Sequence, residues 1–265
     1  MPFSVASWWM FLCVLGALNI TAWAFSAAAL RRPAGTLDTE VLSMRRWQLG
    51  LSALYVFGCA FRSVFLVYDI PRICLVDLPF SSVLVGRSVA TVAELAFASQ
   101  WALLLRQGAL ATGYSTVRMV SQVILPLIAI AEICSWIAVL TTANLGHVFE
   151  NSLWGFCAAL VAASLIALAT RAPAIQRPMF AIWIVGGLAY VAFMWIVDVP
   201  TYWSRWIADE AIAREYLTLA QGVADASACK LVSFRWEDWR HEVAWMSLYF
   251  SGGVWASISL TQKWR

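Results

Sequence analysis

Apolar positions in this chain run in long unbroken stretches, not in the alternating or three-to-four spacing of half-buried elements. Seven such stretches are read near residues 5–30, 48–69, 81–105, 119–142, 152–170, 179–197 and 242–260. Each is long enough to carry a helix across the roughly 30 Å of bilayer hydrocarbon. In lipid every backbone N–H and C=O needs a partner within the protein, which predicts helices and excludes open strands. Barrel strands would be about ten residues long and alternating, and these stretches are neither. The pattern predicts an all-α polytopic integral membrane protein with seven transmembrane helices in one bundle spanning residues 1–265. The segment 198–241 reads as an outer cap. In it Trp206, Ile207, Ile212, Tyr216, Leu217 and Leu219 recur at helical spacing opposite Asp209, Glu210 and Arg214, which predicts an amphipathic helix.

Composition agrees. Hydrophobic residues make up 62% and charged ones 12%, against roughly half and a quarter in soluble domains. The first stretch lacks a basic leading region and is followed by Arg31 and Arg32, so it reads as a retained helix and not a cleaved signal. Arginines set the orientation: Arg31, Arg32, Arg45, Arg46, Arg106, Arg118, Arg171, Arg177, Lys263 and Arg265 fall on one side. The opposite short loops carry only Arg72, so the N-terminus is expected outside and the C-terminus in the cytosol. The pI near 8.6 then reflects this bias, and the scattered basic residues predict no nucleic-acid partner. Many of the 16 tryptophans fall at stretch ends, among them Trp8, Trp9, Trp47, Trp101, Trp203, Trp206, Trp236, Trp239 and Trp264, and are expected to anchor at the interface.

Cys13, Cys59, Cys134 and Cys157 lie within stretches and read as small packing residues. Cys74 and Cys229 fall in outer loops, where an oxidising plasma or secretory-pathway membrane would let them pair; two free thiols are the alternative. The sequon Asn19-Ile20-Thr21 is placed inside a stretch, out of reach of glycosylation.

Weak self-similarity runs along the chain. Val56–Phe61 with Val67-Tyr68-Asp69-Ile70-Pro71 aligns at one offset with Val185–Tyr190 and Ile196-Val197-Asp198-Val199-Pro200. Glu94–Ser99 aligns with Glu242–Ser247. A parallel three-plus-one-plus-three repeat would follow, with the fourth helix as connector. That layout resembles the arrangement of SWEET sugar transporters, in architecture only. A proline-glutamine motif and mid-span prolines in helices one and five are both missing, so the resemblance carries no residue assignments.

Ionisable groups sunk in a span cost roughly 2.5–3.5 kcal/mol each by insertion scales and are functional candidates by default. Arg62, Arg87, Glu94 and Glu132 qualify, with Thr91 between Arg87 and Glu94 on one helical face. One reading makes them an outer-half polar pocket for a small polar or amphipathic molecule, with Glu94 and Glu132 exchanging protons. The other makes Arg87 or Arg62 a structural partner of Glu94. Asp69 and Asp198 sit at the rim, where they would cap helix exits or pair with Arg72 and Arg205. His147 with Glu150, and Asp238 with His241, are spaced by three and could hold Zn²⁺ or iron for attack on lipid head groups. No organic cofactor is expected. Mid-span lysine for a retinal base, histidine within a span for haem, a GxSxG elbow and a phosphate-binding loop are all lacking. The function expected is a carrier or binding protein in the bilayer, free to form homo-oligomers; a lipid-directed membrane enzyme and a non-catalytic subunit or receptor are the rivals.

Overall fold

The computed structural model describes residues 4–31, 38–229 and 231–262. Arg32, Lys263, Trp264 and Arg265, used above for orientation and anchoring, lie outside the described residues. The chain is 82% helical and therefore all-α. Among the described residues six helical stretches are long and apolar enough to cross a membrane: Val5–Leu30, Val83–Thr112, Ser115–Thr141, Asn144–Arg171, Arg177–Ala211 and Val243–Leu260. They mark a multi-pass membrane protein. The remaining long helix, α2 (Thr39–Val64), has 26 residues but carries Gln48 and Arg62 within its apolar part. The chain divides into two compact units, Met1–Gln100 with Ala226–Arg265, and Trp101–Asp225.

In the first unit α1 (Val5–Arg31) packs along α2. Asp38 caps α2 by accepting from the Glu40 N–H at 3.0 Å. α2 stops at Val64, so residues 65–69 are not helical as the apolar run implied. Instead β1 (Val67–Tyr68) pairs antiparallel with β2 (Ile73–Cys74), and β2 pairs parallel with β3 (Leu231–Val232). The disulfide Cys74–Cys229 fastens β2 to the segment entering β3, across 155 residues of sequence. Between β3 and the last membrane helix runs α9 (Trp236–Trp239). Its Trp239 is wholly buried, donates to the Ser233 carbonyl at 2.8 Å and packs on Trp8 and Tyr68. Trp8 in turn donates to the Ser247 hydroxyl at 3.0 Å. Trp8 and Trp239 are thus core residues and not interfacial anchors, because each indole N–H finds a partner inside the unit.

Loss of the disulfide tests how far the sheet depends on it. Closing so long a loop would stabilise a free chain by about 5 kcal/mol, but bilayer insertion already confines the intervening helices. Cys74→Ser is therefore expected to cost about 2–3 kcal/mol. It should expose the amides of Leu231 and Ser233, which bond the carbonyls of Arg72 and Cys74, to hydrogen exchange. Exchange at those two amides unchanged from wild type would show that the strand pairing stands without the bridge.

The last membrane helix is α10 (Val243–Leu248), a π turn over Tyr249–Gly253 and α11 (Val254–Leu260). A π turn leaves a carbonyl without its i→i+4 partner. Here Asn19 of α1 donates to the Phe250 carbonyl at 2.7 Å. At the far end of this unit Gln48, Ser52, Gln100 and Ser257 form a buried polar layer. The two glutamine amides donate across to each other's backbone carbonyls at 3.0 and 3.1 Å, and the Ser257 hydroxyl donates to the Gln100 side-chain Oε1 at 2.6 Å.

In the second unit α4 (Ser115–Thr141) and α5 (Asn144–Arg171) are joined by only Thr142 and Ala143, with Thr142 in the left-handed region at φ 61°. A two-residue link forces antiparallel neighbours. α5 starts at Asn144, earlier than the apolar run implied, so His147 lies inside a membrane-length helix after all. α6 (Arg177–Phe193) continues through a π turn at Met194–Asp198 into α7 (Val199–Ala211) and packs on α5. The helix therefore runs on 14 residues past the expected end at 197, and its 35 residues span about 52 Å, well beyond the hydrocarbon. Pro200 does not stop it, because the π turn over Met194–Asp198 just before it already departs from the regular hydrogen-bond ladder that a proline would interrupt. The expected amphipathic helix is broken instead at Ala213, whose φ of 48° forms a left-handed C-terminal cap. α8 (Leu219–Ala226) follows.

The aligned segments of the sequence repeat differ in local structure. Val67–Pro71 forms β1 and a turn, whereas Ile196–Pro200 is continuous helix. α3 (Val83–Thr112) is one helix of 30 residues and reaches seven past its expected end at 105.

Candidate functional site

Three helices of the first unit bring the side chains of Arg62, Arg87 and Tyr249 onto one carboxylate, that of Glu94. Glu94 of α3 lies two turns from Arg87, and Arg87 donates from Nη2 to Glu94 Oε2 at 3.0 Å. Arg62, from the last turn of α2, approaches Glu94 Oε1 at 3.9 Å. Tyr249, first residue of the π turn, donates its hydroxyl to Glu94 Oε1 at 2.9 Å, and Arg62 also lies 5.5 Å from the centre of its ring. Two guanidinium groups and a phenol complement the ionised form of the acid. Arg87 and Glu94 are buried, Arg62 is partly exposed, and Thr91 sits half-buried between the two on α3. Beneath the cluster Tyr55 stacks on Phe97 with centroids 4.5 Å apart. The Tyr55 hydroxyl lies 2.6 Å from where a Cβ would stand at Gly253, so a larger residue there would have to displace the phenol.

Tyr249 was not among the residues singled out from sequence. Its signal was indirect: a tyrosine on the last membrane helix seven residues after Glu242. Its position depends on the π turn, which has no sequence pattern of its own.

Glu132, the other acid of the candidate pocket, belongs to the second unit. It is buried on α4, and one of its carboxylate oxygens lies within 4.8 Å of one of Glu150 on α5. His147 and Glu150, one turn apart on α5, are joined Nδ1 to Oε2 at 2.7 Å, and both are buried. The ring of Tyr202 from α7 covers the imidazole at 4.8 Å. Farther along, Asp209 receives Asn144 Nδ2 at 2.9 Å and Arg214 Nη1 at 3.0 Å, tying α5 to the end of α7. The phenol of Tyr216 donates to Glu210 at 2.9 Å; desolvation and that carboxylate push it up to about 12.

The other half of the sequence-derived metal set has different partners. Asp238 accepts from the Ser233 hydroxyl at 2.5 Å, and exposed His241 accepts at Nε2 from Arg240 at 3.1 Å. Of the rim acids, Asp69 offers its backbone carbonyl to Arg72 Nη1 at 2.8 Å. Burial holds that guanidinium below its usual range. Asp198 ends the π turn within a continuous helix and not a helix exit.

An open groove of about 500 Å³ on the first unit is lined by Leu54, Phe57, Phe61, Val89 and Val92. Its walls suit a hydrocarbon chain and not a polar solute. No protein-family model matches this chain, and no curated protein or solved structure is similar to it.

Proposed function

We propose that this multi-pass membrane protein carries or binds a small polar or amphipathic molecule, recognised at Arg62, Arg87, Glu94 and Tyr249 near the outer end of the bundle. The supporting observation is the π turn at Tyr249–Gly253, which delivers Tyr249 to a buried ion cluster. Such turns break a helix's hydrogen-bond ladder and recur at functional sites. Half-buried Arg62, at the longer distance from Glu94, is the cation best placed to exchange the acid for an anionic or hydroxyl-bearing ligand. The seven-helix count and the N-terminus-outside orientation belong to this reading, since the partly exposed end of the cluster then faces outward. Protonation of Glu94 would loosen Arg87, Arg62 and Tyr249 together and so couple a proton to ligand exchange.

Liposomes containing the purified protein, screened on a solid-supported membrane with small carboxylates, amino acids and sugars, are expected to give a current for one of these classes. Arg62→Gln should reduce that response at least tenfold while the protein keeps its monodisperse elution. Glu94→Gln should remove its dependence on pH. A response untouched by Arg62→Gln and Tyr249→Phe together would remove the site, and no response to any class would remove the carrier reading.

A further inference from the structure

The apolar groove of the first unit runs up to the guanidinium groups around Glu94. On α2 its lining extends from Ala53 to Phe61, about 12 Å along the axis, with Leu54 and Phe57 between them; on α3 it includes Val89 and Val92. Leu54, Phe57 and Val92 are about half exposed, so in a bilayer the groove opens sideways to lipid. Gly58 also lines it, where α2 meets α3 and an added Cβ would stand 2.9 Å from that of Ala93. Arg62 is one turn beyond Gly58 on the same face of α2, and Arg87 directly precedes the lining residue Ser88 on α3. Phe61 is in ring contact with Phe65 and exposed Phe80, which carry apolar surface past Arg62. Cation and hydrocarbon surface are therefore neighbours.

We infer, resting on the carrier site proposed above, that its ligand is a long-chain fatty acid, with the carboxylate at Arg62 and the chain in the groove. Charge favours an anion. Arg62 and Arg87 face the single carboxylate of Glu94, and Asp69, the other acid acting on Arg62, also acts on Arg72. A guanidinium meets a carboxylate best through two parallel hydrogen bonds, which the 3.9 Å contact of Arg62 with Glu94 does not supply. A fatty-acid head would supply them. Lipid tails solvate a hydrocarbon chain about as well as the groove does, so the charged head decides which amphipath stays. A small polar solute would leave the groove unused, and a diacyl lipid would leave its second tail outside.

The test is binding of tritiated palmitate to the purified protein in phosphatidylcholine nanodiscs, with empty nanodiscs subtracted. Wild type is expected to bind it saturably. Arg62→Gln should bind at least tenfold more weakly, and so should Val92→Trp and Leu54→Trp, which fill the groove from lipid-exposed positions. Each variant is to elute as a single gel-filtration peak. Hexadecanol, with the same chain and no charge, should compete at least tenfold less well than unlabelled palmitate, and butyrate should not compete. Monodisperse wild type without saturable binding, or either folded tryptophan variant binding as wild type, overturns the fatty-acid ligand and leaves the carrier reading to its own current measurement. Hexadecanol or butyrate competing as well as palmitate overturns it too, because the head or the chain is then not read. Palmitate binding lost in nanodiscs containing phosphatidylglycerol assigns the groove to a diacyl lipid instead. Binding retained in full by Arg62→Gln removes the shared site, and the carrier reading falls with it.

Discussion

Replacing Glu94 with glutamine is expected to lower the melting temperature in detergent by roughly 10 °C. The carboxylate is buried, receives Arg87 at 3.0 Å and Tyr249 at 2.9 Å, and has Arg62 at 3.9 Å. Removing one partner of a buried ion pair leaves the other charge desolvated, at a cost of about 3–5 kcal/mol. At about 2–4 °C per kcal/mol for a chain of this size, that gives the shift stated. Arg87→Gln should cost a similar amount, because its contact is the short one. Arg62→Gln should cost about 1 kcal/mol, because its contact is longer and partly exposed, where ion pairs contribute little. The ranking, read by differential scanning fluorimetry, matters more than the absolute values. Arg62→Gln as damaging as Glu94→Gln would mean that Arg62 is a structural strut, and the carrier reading would lose its exchangeable cation.

Much of this cluster was legible in the chain. Seven residues are nearly two helical turns, so Arg87 and Glu94 had to share a face, and the cost of burying either charge made their pairing one of the two readings the sequence offered. Arg62 was flagged on the same cost. The disulfide was legible too, because two cysteines stood apart from the four placed in the membrane. Hydropathy reports burial in lipid, however, and not the end of a helix. α6 and α7 pass through Pro200 because nothing in the apolar pattern distinguishes a proline that starts a turn from one that stops a helix. α5 begins eight residues before its apolar run because buried His147, Glu150 and Asn151 lower the local hydropathy while lying in the helix.

What the sequence concealed were relations across helices. Glu132 has its neighbour Glu150 on the next helix, just ahead of the apolar run that marked that helix. The buried layer of Gln48, Ser52, Gln100 and Ser257 gave a fainter signal, as uncharged polar residues in spans are common. Its reciprocal glutamine bonds appear only when α2 and α3 are placed side by side. Trp8 and Trp239 misled for a related reason. Tryptophan at the end of a span usually faces the interface, but here Ser247 of the last membrane helix and the Ser233 carbonyl just after β3 accept the two indole N–H groups and let both rings turn inward.

Gly146→Ala is expected to destabilise the protein by about 2–3 kcal/mol, against the ordinary sign of that change in a helix. Alanine is favoured over glycine in a helix interior by about 1 kcal/mol. A Cβ at 146 would stand 2.5 Å from the Cys134 carbonyl oxygen and 2.9 Å from the Ala138 nitrogen, and both belong to backbone that cannot swing aside. α4 would have to withdraw from α5. In lipid that loss is severe, since helices are held by close van der Waals contact and not by exclusion of water. Gly186→Ala is the internal control. Nothing lies within 4 Å of a Cβ there, so the same substitution should be neutral or stabilise by up to about 1 kcal/mol. The two variants are to be compared by thermal melting in one detergent. Equal melting of the two variants would show that the α4–α5 contact is not the close one described here.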